Sequence, residues 1–158
     1  MIDIYRYTLM VYFITHIPIT LIVDIQSLFL ESYPEVLKEF VRNQYLLKYG
    51  DYLMADPPIW LKALQTFEIF QVPFFFVATY ALHYRKNWIR IPAIVYSTHV
   101  VTAVSLILAE LYFSSRITFE QKTILFSFYL PYLIIPACLL IYMCAYSQPL
   151  SKAADKEQ

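Results

Sequence analysis

His16-Ile17-Pro18-Ile19-Thr20-Leu21-Ile22-Val23-Asp24 is an apolar helical stretch broken by a proline, with an imidazole at one end and a carboxylate at the other. Between Arg6 and Glu31 the only formally charged residue is Asp24, and at about 1.5 Å per residue this segment is long enough to cross a bilayer. With the span centred on Pro18, Asp24 lies roughly 9 Å from the middle, inside a hydrocarbon half-thickness of about 15 Å. The nine Leu, Ile, Val and Phe residues from Tyr7 to Val23 favour insertion by about 4 kcal/mol, and one central Asp costs about 3 kcal/mol. Such a carboxylate belongs on the inside of a bundle. On a regular helix Thr20 is one turn from both His16 and Asp24, so the three form one polar stripe. It serves either as packing glue between helices or as a ligand or proton site.

Composition leads to the same class. Of 158 residues, 59% are hydrophobic and only 15% charged, and mean hydropathy is +0.52, too apolar for an ordinary soluble domain. The formal net charge of zero gives no electrostatic case for nucleic acid. A single glycine removes GxxxG packing as the means of helix association, leaving 15 Tyr, 12 Phe and 9 Pro to shape the bundle. Cys138 and Cys144 lie in one apolar run and are expected to be buried thiols, with no metal-ligand spacing and no cofactor motif. The first segment lacks a small-x-small cleavage site and is read as retained.

The expected fold is an all-α integral membrane protein, a bundle of four transmembrane helices with an intramembrane ligand pocket. It is read as a single domain over 1–158, with spans near 7–30, 62–84, 91–113 and 123–147 and a polar tail over 148–158. After the first span, Glu31 to Trp60 mixes acids and bases with Val36, Leu37, Phe40 and Val41, as in a short amphipathic helix on the membrane face. Gly50 and Pro57-Pro58 break this stretch before Trp60. The second span carries Glu68 and Gln71 on one face, the third Tyr96 and His99, the fourth Tyr129 and Tyr132. By spacing alone, His99 reads as a hydrogen-bonded structural residue and the tyrosine pairs as packing or belt residues. Four spans place Arg6, Arg85, Lys86, Arg90, Lys152 and Lys156 on one side, against Lys38, Arg42, Lys48, Lys62, Arg116 and Lys122 on the other. That is a tie, and the compact cluster at Arg85 to Arg90 tilts the termini toward the cytoplasm.

His16-Ile-Pro-Ile-Thr with Asp24, Asp51 before Asp56-Pro57-Pro58-Ile59-Trp60, Glu68 with Gln71, Pro73-Phe74-Phe75, Trp88-Ile89-Arg90-Ile91-Pro92-Ala93 through His99, and Tyr129-Leu130-Pro131-Tyr132 occur in order. Together they resemble the EXPERA-domain family, most closely its sigma-2 receptor branch, over about Tyr12 to Tyr142. The resemblance implies four transmembrane helices around a lipid-accessible pocket, a homodimer, and residence in the endoplasmic reticulum membrane or a neighbouring endomembrane such as the nuclear envelope. Carried over residue by residue, it makes Asp24 the acid that pairs with a cationic amine and Asp51 its carboxylate neighbour. Glu68 and Gln71 then line the polar end, with His16, Tyr96, Tyr129 and Tyr132 around the ligand. In the family the Glu and Gln stand four apart; here they are three apart, still on one face.

The function this implies is a sterol- or lipid-binding receptor-like protein that also takes hydrophobic cationic amines and serves cholesterol and lipid homeostasis, with no catalytic residue. The resemblance leaves two alternatives. One is sterol double-bond isomerisation, as in emopamil-binding protein of the same family, with Asp24, Asp51 and Glu68 as acids. The other is a membrane scaffold that aids trafficking of lipid transporters or mitochondrial precursors.

Overall fold

The computed structural model describes Met1 and residues 3–151, and among them there is no β-strand. Helix α1 (Asp3–Ile19) continues through a π-helical turn (Thr20–Asp24) and a 3-10 turn (Ile25–Ser27). Next in the chain is a segment doubled back on itself: α2 (Glu35–Val41), a second π turn (Arg42–Leu46), α3 (Leu47–Tyr49) and α4 (Tyr52–Ala55). Then come α5 (Ile59–Thr66), α6 (Glu68–His83), α7 (Arg90–Phe113) and α8 (Phe119–Ala145). Three stretches are long and apolar enough to cross a membrane: Asp3–Ser27, Asn87–Phe113 and Phe119–Ala145.

The predicted second span is in two pieces. Phe67 separates α5 from α6, its N–H bonding back only three residues to the Leu64 carbonyl. The 16 residues of α6 rise about 24 Å, short of a hydrocarbon core of about 30 Å. At the fourth predicted span, α8 begins at Phe119 because Thr118 and Gln121 close a capping box. Gln121 N donates to Thr118 Oγ1 at 3.2 Å, and Thr118 N to Gln121 Oε1 at 2.9 Å.

Packing runs in pairs, α1 against α6 and α7 against α8. Where glycine is missing, buried alanines let the backbones approach: Ala78 and Ala81 on α6, Ala93 and Ala103 on α7. Between them a ring cluster of Phe13, Phe74, Phe75 and Tyr96 fills the core, with Phe74 stacked on Tyr96 at 4.8 Å. The outer faces are as apolar as the inner ones, with Val11, Ile14, Phe76, Val95, Ile134 and Ile141 exposed, as helices solvated by lipid require.

Two arginines close helix ends. Arg6, buried, donates to the Leu82 carbonyl at 3.0 Å and the His83 carbonyl at 3.3 Å at the end of α6; Arg90 Nε donates to the carbonyls of Met143 and Tyr146 at 2.8 and 2.9 Å at the end of α8. Each satisfies carbonyls that the helix leaves open and sets a cation at the negative end of its dipole. Arg85, with φ 52°, is the left-handed residue that ends α6, and the Lys86 N–H reaches the Ala81 carbonyl at 2.8 Å. Arg85 also pairs with Asp3.

One expectation is corrected. Cys138 and Cys144 are exposed on α8, since an apolar thiol on a lipid-facing surface needs no cover from protein. The start of the predicted polar tail is folded in: Pro149 and Leu150 are buried, the Met1 amino group donates to the Pro149 carbonyl, and Leu150 N donates to Asn87 Oδ1 at 2.8 Å. Residues 152–158, with Lys152 and Lys156, lie outside the described residues.

Candidate functional site

Pro18 has no N–H to give Ile14, and its ring crowds that carbonyl, so α1 cannot run on undisturbed. The backbone loosens into the π turn, in which the Ile25 N–H reaches back five residues to the Thr20 carbonyl. One extra residue in a turn rotates the remainder of the helix by about 100°, which brings Asp24 closer to alignment with His16 than the roughly 80° offset of a regular helix. Thr20 is buried beside them.

His16 and Asp24 open on a cavity of about 310 Å³. Glu68 and Gln71 enter it from α6, His99 with Val100, Ala103, Val104 and Ile107 from α7, and Phe128, Tyr129 and Tyr132 from α8; Tyr45, Met54, Leu61 and Leu64 complete the wall. Tyr132 meets the His16 ring edge-on at 4.9 Å, and Phe75 packs on the same imidazole at 4.9 Å. Among the described residues Glu68 Oε2 and His16 Nδ1 have no hydrogen-bond partner, and both atoms are packed against protein, closed to solvent and to the cavity. The break at Phe67 starts α6 afresh at Glu68, and both Glu68 and Gln71 face the cavity despite their three-residue spacing.

Two of the residues singled out in the sequence stand behind this wall. Asp51, with 0% of its surface exposed, caps α4 by accepting from Met54 N at 3.2 Å. Its other oxygen accepts from the phenols of Tyr45 at 2.6 Å and Tyr129 at 2.7 Å, and it is those rings that face the cavity. Burial and the Asp51 carboxylate together push the Tyr45 phenol well above its ordinary range. Tyr96 is likewise inside the core, its hydroxyl shared with Tyr12 at 3.1 Å. Conversely, His99 lines the cavity against the Phe67 ring at 5.4 Å. Tyr45 and Met54 were not visible as site residues, because they come from the segment between spans, where no periodicity points at a pocket. A second buried network, Ser27 Oγ to Gln65 Oε1 at 3.0 Å and Gln65 Nε2 to Met54 Sδ at 3.3 Å, ties the end of the first span to α5 and α4.

The wall therefore offers two carboxyls, two imidazoles and an amide in a lining that is otherwise aliphatic and aromatic, and no lysine or arginine faces it among the described residues. Chemically such a lining suits a largely apolar body with a donor or cationic group. Among the described residues no three of His, Cys, Asp and Glu come together to hold a metal.

Residues 35–143 match the EXPERA (EXPanded EBP superfamily) family profile. The chain belongs to the EXPERA family. It is 43% identical over 143 residues to sigma intracellular receptor 2 of Xenopus tropicalis, covering 84% of this chain and 83% of that one. With the protein of the same name from Homo sapiens it shares 39% over 146 residues, 84% and 82% of the two chains. Efficient mitochondria targeting-associated protein 19 of Schizosaccharomyces pombe is 31% identical over 137 residues, 84% and 70%. Within the family this places the chain on the sigma-2 receptor branch. As an EXPERA protein with three long apolar helices it is a multi-pass membrane protein. Its profile match begins at Glu35, so His16 and Asp24 lie ahead of the matched stretch and reach the cavity from α1 and its π turn.

Proposed function

We propose that this EXPERA protein is a sigma-2-receptor-like, sterol- or lipid-binding protein of the endoplasmic reticulum membrane that also binds hydrophobic cationic amines and takes part in cholesterol and lipid homeostasis. The observation that carries this reading is that Asp24, Glu68 and His16, on two different helical segments, line one otherwise apolar cavity. Polar side chains set in an apolar lining are costly to leave unmatched, and a donor or cationic group on a ligand matches them. Asp24 takes the cation, the rings of Tyr45, Tyr129 and Tyr132 supply aromatic faces for it, and the aliphatic wall of α7 takes the hydrophobic body.

In this reading α5 and α6 together make a bent fourth crossing beside α1, α7 and α8, the termini face the cytoplasm, residues 31–60 and 114–121 face the lumen, and two copies associate. Lipid extraction and mass spectrometry on the purified protein test it: a stoichiometric sterol supports the reading. Protein that carries no sterol and takes up no amine overturns it in favour of a scaffold, the direction in which the name of the Schizosaccharomyces pombe relative points. The isomerase reading is favoured by one observation, that Glu68 and Asp24 reach the cavity from different helices and could act at two points of a ring. A sterol with a nuclear double bond is expected to bind unchanged. Product seen by gas chromatography that vanishes in Glu68→Gln replaces the receptor with the enzyme.

A further inference from the structure

The segment between the first span and α5 folds back along that span. After Ser27 the chain turns back, and the Tyr33 hydroxyl donates to the carbonyl of Leu21, six residues short of the end of that span. Helix α2 then packs beside the Thr20–Asp24 turn. At about 1.5 Å per residue these contacts hold α2 roughly 5–10 Å below the end of the Asp3–Ser27 stretch. One face of the segment is anchored, with Val41 buried and Tyr45 on the cavity wall. On another, Val36 is 77% exposed, Phe40 58% and Leu47 67%, and Phe29 and Leu30 are exposed just before it. Glu35 and Arg42 are exposed on the flank of α2 about 100–160° around from Val36 and Phe40, with Glu39 exposed at the border between the two.

We propose that residues 29–47 are an embedded interfacial element whose occupant is the acyl-chain region of the leaflet at the Ser27 end of the first span, with Val36 and Phe40 inserted among the chains and Glu35, Glu39 and Arg42 at the headgroups. The depth comes from the Tyr33 and α2 contacts with the first span, and a face of this composition seats at that depth in a bilayer. Leu21 of the π turn, whose carbonyl the Tyr33 hydroxyl meets, is itself exposed, so the apolar surface of the segment adjoins that of the first span. Because Tyr45 belongs to the same segment, the leaflet holds one wall of the cavity in place.

The full chain, with Cys138→Ser and Cys144→Ser to remove native thiols, is given one cysteine at a time at Val36, Phe40, Glu35 or Arg42, spin-labelled and reconstituted in phosphatidylcholine vesicles. Labels at Val36 and Phe40 are expected to relax at least fivefold more with oxygen, relative to a water-soluble nickel chelate, than labels at Glu35 and Arg42. Equal access of the chelate to all four positions overturns the proposal. Shielding of Val36 and Phe40 from both reagents, lost on dilution in excess lipid, overturns it in favour of a second copy. Since a spin label could itself seek the bilayer, the photoreactive variant Phe40→p-benzoylphenylalanine is irradiated in the same vesicles: addition of one phospholipid mass supports insertion, and its absence overturns it.

Discussion

The Asp51 carboxylate, closed from solvent, accepts a 2.7 Å hydrogen bond from the Tyr129 hydroxyl across 78 residues of sequence. The acid thereby supports the cavity from behind, holding two rings on its wall. Tyr129→Phe leaves Asp51 one partner short and is expected to destabilise the protein by about 1–3 kcal/mol. In a double-mutant cycle with Asp51→Asn the losses are expected to be non-additive by about 1 kcal/mol. Thermal unfolding in detergent reads both; additive effects would separate the two residues.

Asp24 is expected to behave in the opposite way. It opens on the cavity, so Asp24→Asn should leave the melting temperature unchanged while weakening a hydrophobic amine by about a hundredfold, or about 3 kcal/mol. Equilibrium binding with a radiolabelled amine checks this, and unaltered affinity would move the cation elsewhere.

Arg6 caps α6 with two hydrogen bonds to carbonyls, and a buried charge-assisted pair of this kind is worth about 1.5–3 kcal/mol. Arg6→Met should cost about that much, and Arg6→Lys should recover only part of it, since Nη1 holds both carbonyls while Nε and Nη2 grip Asp3, and one ammonium cannot span the two. Full rescue by lysine, measured by thermal unfolding, would mean that charge alone matters.

The phenol of Tyr45 is raised by burial and by Asp51, so the neutral form is favoured in the folded state. That contribution is complete below the unfolded phenol pKa of about 10 and is lost as pH rises above it toward the folded value. The melting temperature should therefore hold to about pH 9.5 and fall above pH 10, with a shallower fall in Tyr45→Phe. Parallel slopes in the two proteins would contradict it.

Gly50, the chain's single glycine, sits at φ 71° between α3 and α4, and a β-carbon there would run into the Gln121 amide of the α8 capping box. Gly50→Ala should cost about 1 kcal/mol or more, from the left-handed backbone and from displacement of Gln121. A melting temperature equal to wild type would show that the capping box yields freely.

What the sequence determined by itself is what composition and spacing control. A long uncharged run forces a helix wherever lipid leaves the backbone no other partner, so the apolar spans were legible, as was Pro18 as a point of disturbance. A carboxyl inside such a run must face protein, which made Asp24 and Glu68 conspicuous. Tertiary packing alone decided the rest. Periodicity gives a residue's face on its own helix but not the rotation of that helix against its neighbours, and this is why Tyr96 went to the core and His99 to the cavity. Asp51 looks in sequence like a second ligand acid, yet Tyr45 and Tyr129 cover it, an arrangement set by contacts far apart in the chain. The break at Phe67 and the π turn after Pro18 each re-phase a helix, and no local pattern announces by how much. Even the two cysteines obeyed this rule: an apolar residue on a membrane helix is equally at home facing lipid or protein, and only the packed bundle says which.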